Sequence, residues 1–96
     1  MIVRILGEGQ FRVGDEAAAK LTALDKDLDA AVRDEDEAAF AVSLRAAVDE
    51  VRAAGTPVGA DEFVTADYIL PFSDASLAEV RKLLADGTIS DSIGLP

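Results

Sequence analysis

Residues 25–36 read Asp-Lys-Asp-Leu-Asp-Ala-Ala-Val-Arg-Asp-Glu-Asp, the stretch whose spacing comes nearest to a metal-binding pattern. Asp25, Asp27 and Asp29 fall at the first, third and fifth positions of a calcium loop. Val32 takes the apolar eighth position, and Asp36 the twelfth, where a carboxylate must close the cage. The sixth position, where the sharp turn demands glycine, is Ala30, and Asp36 is shorter than the glutamate that normally completes the coordination. Leu24, Leu28, Ala31 and Val32 instead continue a helical stripe, with the aspartates expected mostly on its solvated side. No metal site is assigned to them. Gly7-Glu8-Gly9 follows a strand as a phosphate loop would, but it lacks a third glycine and a Lys-Ser/Thr pair, so a hairpin turn is expected there.

The rest of the catalytic vocabulary is missing. With no histidine and no cysteine the chain has no imidazole base, thiolate nucleophile, disulfide or ordinary zinc site, and a lone Ser or Tyr is not thereby a nucleophile. No carboxylate pair has a spacing that holds it across a concave site. No catalytic residue, cofactor or metal is therefore expected, and the chain is read as a non-enzyme. Nine Lys+Arg against 19 Asp+Glu give a net charge of −10, which repels nucleic acid and anionic lipid. The N-terminal apolar run is too short for a signal peptide and no window holds about 18 apolar residues in a row, so a soluble, cytoplasmic protein is expected.

What remains is recognition. Phe63, Tyr68, Ile69, Leu70, Pro71 and Phe72 concentrate large apolar groups in a loop-rich segment, the composition of a partner-binding surface or an exposed sheet edge. The competing reading is that they cap the core of a domain with few other large side chains. An alanine-rich helical hairpin offers a second route, packing against another helical protein or its own copy.

The elements that would position these residues follow from periodicity. Ile2–Leu6 and Gln10–Val13 flank the glycine turn as two short strands, the first largely apolar on both faces and so covered or central in its sheet. Asp15 stands where a helix cap is expected, and Ala17, Leu21, Leu24, Leu28, Ala31 and Val32 mark one stripe of a helix to about Arg33. Asp34 with Glu37, or Asp36 alone, caps a second helix with Phe40, Leu44, Ala47, Val48 and Val51 on its stripe, ended by Gly55 and Pro57. Phe63-Val64 and Tyr68-Ile69-Leu70 read as short β-type runs, the second an expected edge strand on the hairpin because Pro71 is tolerable only at an edge. Ser76-Leu77-Ala78-Glu79 fits a capping box opening a third helix that ends near Asp86-Gly87. The expected architecture is one α+β domain over 1–87, order ββααβα, its small antiparallel sheet packed on a helical hairpin, with a C-terminal tail over 88–96.

Three stretches carry a family likeness: Met1-Ile2-Val3-Arg4-Ile5-Leu6-Gly7-Glu8-Gly9-Gln10 with Phe11, Gly55-Thr56-Pro57 after the acidic hairpin, and Asp67-Tyr68-Ile69-Leu70-Pro71 leading to Asp74-Ala75-Ser76-Leu77-Ala78-Glu79-Val80. From Met1 to about Leu84 the chain resembles the PspA-associated protein family, PspAA. The resemblance implies a small cytoplasmic accessory protein of the phage-shock, or envelope-stress, response. Its implied partner is PspA, a coiled-coil protein that coats the inner membrane, with no catalytic residues to carry over. The acidic surface then implies that any membrane link runs through that partner. A self-assembling homodimer without direct PspA contact is the alternative.

Overall fold

The computed structural model describes residues 1–59 and 61–85. Two strands open the chain, β1 (Ile2–Ile5) and β2 (Gly9–Arg12), followed by α1 (Asp15–Asp34), α2 (Glu37–Ala54), β3 (Thr56–Pro57), β4 (Tyr68–Leu70) and α3 (Leu77–Ala85). Three helices lie with one mixed sheet of order β3-β2-β1-β4, so the chain is α+β in the expected order with one strand more. The stretch assigned to a C-terminal tail and the end of the third helix fall outside the described residues.

β1 is central, as its two apolar faces suggested: it pairs antiparallel with β2 and parallel with β4, placing Val3 opposite both Phe11 and Tyr68. The sheet is thus mixed rather than purely antiparallel. β4 begins where Asp67 grips Ile2, whose N–H donates to Asp67 Oδ2 at 2.8 Å while the Asp67 N–H donates to the Ile2 carbonyl at 2.8 Å. Phe63-Val64 forms no strand. The extra strand falls instead on Thr56–Pro57, beside Arg12 and Phe11, because the free edge of β2 lies next to the chain leaving α2. Pro57 is tolerated there because an edge strand need not donate outward.

The hairpin turn carries a backbone demand. The Glu8 N–H donates to the Ile5 carbonyl at 2.9 Å, and Gly7, the third residue of that turn, sits at φ +84, the left-handed value that favours glycine. Glu8 then reaches α2, where Arg52 Nε and Nη2 meet its two oxygens at 2.8 and 2.7 Å. Such an exposed fork fixes geometry more than it adds stability.

α1 starts one residue earlier than a capping Asp15 would allow. Gly14 occupies the cap position without a side-chain bond, and Asp15 and Glu16 act as first-turn acids on the helix dipole. At the other end the Glu35 and Asp36 N–H groups turn back to the Val32 and Ala31 carbonyls, with Glu35 at φ 57. Asp36 caps α2, its Oδ1 accepting from the Ala39 N–H at 3.0 Å. The Ser76–Glu79 capping box forms both reciprocal bonds, at 3.3 and 3.2 Å.

One core joins these pieces: Val3, Ile5, Tyr68 and Leu70 from the sheet, Leu21 and Leu28 from α1, Phe40, Leu44, Val48 and Val51 from α2, and Val80 from α3. Truncating one of these side chains to alanine is worth about 2–5 kcal/mol. Among the described residues no helix is long and apolar enough to cross a membrane.

Candidate functional site

The segment from Phe63 to Phe72 divides cleanly by burial. Tyr68 and Leu70 are buried in the core and Pro71 is buried beside them. The reason is register: Tyr68 and Leu70 stand opposite Val3 and Ile5, on the sheet face that the helices cover. Ile69, between them, points to the other face and is half-buried. Phe63 is 99% exposed and Phe72 46% exposed, an unusual placement for side chains that could each hide well over 100 Å² of surface.

Each of these exposed groups adjoins a residue whose contacts are defined. Phe72 follows β4 and lies against the hairpin turn, so close that a Cβ on Gly7 would stand 2.9 Å from its Cδ1 and Cε1. Phe63 follows Glu62, whose carboxylate meets Arg12 Nη2 at 2.7 Å and whose N–H donates to the Gly59 carbonyl at 3.0 Å. Parity along the strands puts Arg4 of β1 and Gln10 of β2 on the same outward face as Ile69, since the register pairs Arg4 with both. Arg4 is exposed, and β4 ends the sheet on that side, with no further strand beyond it among the described residues.

Beneath this surface lies a buried polar pair. Tyr68 Oη donates to Asp25 Oδ1 at 3.1 Å, tying β4 to the middle of α1. Burial pushes the Asp25 carboxyl above its ordinary range, opposed by the tyrosine bond and reinforced by Asp29 nearby. Burial and the adjacent carboxylate raise the Tyr68 phenol as well, so it stays protonated and keeps donating. Asp25 therefore does not lie on the solvated side of its helix. The signal was present in the spacing, for Leu21, Asp25 and Leu28 share one stripe. Asp25, Asp27 and Asp29 all lie within the continuous helix α1, which cannot form the turn a calcium loop needs. Among the described residues no group of three or more acidic side chains converges to hold a metal ion.

Two other surfaces form shallow, open depressions. The acidic connection 34–37 forms an open cleft with Leu77, Ala78 and Arg81, in which Arg81 Nη2 meets Glu35 Oε1 at 2.8 Å, Asp36 serves as a cap and the cleft ties α3 to the hairpin. On α2, Val42 is 71% exposed beside Ala41, Arg45 and Asp49, a shallow depression on the outer side of the helical hairpin. Neither brings together groups that could do bond-making chemistry.

A family model described as PspA-Associated protein matches residues 1–92. No curated protein and no solved structure matches the chain.

Proposed function

Because the chain belongs to the PspA-associated protein family, we propose that it is a non-catalytic adaptor that docks PspA or a related component of the envelope-stress response through the surface carrying Phe63, Ile69 and Phe72. The observation that carries this reading is the exposure of two phenylalanines within ten residues of one another, on a domain whose other aromatic core groups are packed. Aromatic side chains presented on a rigid frame lose little entropy on binding and are typical anchors of interfaces. The strands beside these residues carry no carboxylate, on a chain of net charge −10. In this reading the domain works in the cytoplasm and reaches the membrane only through its partner. A second copy of the chain is the competing occupant of the same face.

Titration of purified PspA with the wild-type chain, Phe63→Ser and Phe72→Ser tests the reading. Both variants should keep their circular dichroism melt within a few degrees and lose PspA binding about tenfold or more. Unchanged affinity in both, or no binding by the wild-type chain, would refute it. A light-scattering mass of twice the chain that collapses to the monomer in these variants would assign the face to self-association instead.

A further inference from the structure

The strands of the sheet lack the acidic excess of the helices. The strands carry Arg4 and Arg12 and no carboxylate, whereas the helical hairpin over residues 15–54 carries eleven carboxylates against five cations. Arg12 is neutralised on site by Glu62 at 2.7 Å. Arg52, Arg81 and Arg33 likewise have a carboxylate within 4.0 Å. Arg4 has none among the described residues, although it is exposed on a protein with ten more acidic than basic side chains. It stands on the central strand, flanked across the register by Gln10 on one side and Ile69 on the other.

We propose that Arg4 is the counter-ion for a carboxylate of the docked protein, so that the partner segment this face takes is one presenting an acidic side chain between apolar ones, the acid on Arg4 and the apolar groups on Ile69 and the exposed phenylalanines. The proposal rests on the docking reading and adds the chemistry that selects the partner. Charge complementarity supports it: the cations Lys26, Arg45 and Lys82, exposed and unpaired among the described residues, lie on the helices, the first two amid the hairpin's excess of carboxylates, whereas Arg4 stands on strands that carry none. The guanidinium fork suits a carboxylate, and when a partner covers it, water no longer screens the pair. Anionic lipid is the weaker candidate, because one unpaired arginine adds only about 1 kcal/mol of attraction to a surface, against the repulsion of the whole acidic chain.

The test uses the full chain and purified PspA, with Arg4→Lys, Arg4→Gln, Arg4→Glu and Phe63→Ser measured beside the wild type, and vesicles of mixed phosphatidylserine and phosphatidylcholine as a second probe. The melt should stay put in all three Arg4 variants, because the side chain is exposed. Affinity for PspA should fall least in Arg4→Lys, which keeps the charge and loses the fork, fall about tenfold in Arg4→Gln and fall further in Arg4→Glu. Full affinity in Arg4→Glu with loss in Phe63→Ser would overturn the counter-ion role and leave docking intact. Wild-type protein that does not bind PspA would overturn both. Vesicle binding that vanishes in Arg4→Glu, with PspA binding unaltered, would overturn the protein carboxylate in favour of lipid.

Discussion

The hydroxyl of Tyr68 and the carboxylate of Asp25 meet at 3.1 Å in the interior, joining a short edge strand to a helix 43 residues earlier in the chain. Tyr68 is 1% exposed and Asp25 8%, so each is the other's substitute for water. The strand that bears the proposed docking surface is thereby bolted by its first residue to the middle of α1.

Removing one member of this pair should cost more than replacing it by an isostere. Tyr68→Phe leaves the Asp25 carboxylate buried without its donor and should destabilise by about 1–3 kcal/mol at neutral pH. Asp25→Asn keeps an acceptor for the phenol and removes the charge. The sign of its pH dependence follows from the raised carboxyl: the folded state holds the Asp25 proton more tightly than the unfolded state, whose ordinary value is 3.8. The charge penalty is thus fully present above the raised folded value and is relieved as pH falls through it. Asp25→Asn should gain on the wild type at neutral pH, and that advantage should shrink toward pH 4 in denaturant titrations.

Gly7→Ala should destabilise for two separable reasons. The φ of +84 strains any side chain, at about 1–2 kcal/mol, and the new methyl meets the Phe72 ring. In a Phe72→Ser background only the first reason survives. A double-mutant cycle on melting temperature should therefore show the two substitutions to be less than additive, and strict additivity would rule out the contact.

Glu35→Gly should stabilise. Glutamate at φ 57 occupies a helix-ending position suited to glycine, and relieving it is worth about 1 kcal/mol. The exposed bond to Arg81 that is lost offsets only about 0.2–1 kcal/mol. An increase of up to a few degrees in the melt is expected, with no change in secondary-structure content.

Leu70→Ala and Phe63→Ala separate a buried strand residue from an exposed loop residue seven positions away. The first empties a fully buried site and should cost about 2–5 kcal/mol, enough to leave much of a small domain unfolded at 37 °C. The second removes a side chain in open solvent and should leave stability within about 0.5 kcal/mol.

The helices, their connection and the capping box were legible in the sequence because a 3.6-residue stripe and a Ser-x-x-Glu signature are local patterns. The pairing of Tyr68–Leu70 with the hairpin was legible as well, from the marginal stability of two strands alone. β3 was not, because Thr56–Pro57 has no strand character of its own and takes its conformation from the edge of β2. The division of residues 63–72 into core and surface could not be read from composition, since it depends on register against β1. Arg4 gave a faint signal as the one charge in an apolar strand, but its lack of an ion partner is a property of the folded molecule.

The parallel pairing of β1 with β4 has a kinetic corollary. Ile2 and Asp67 lie 65 positions apart, so the second edge of the first strand stays unsatisfied until nearly the whole domain has been synthesised and a very large loop has closed around the two long helices. On a ribosome the amino-terminal hairpin would emerge early, with an apolar strand exposed to other nascent chains. The stretch that follows it is rich in carboxylates, whose mutual repulsion opposes association of such chains in that interval.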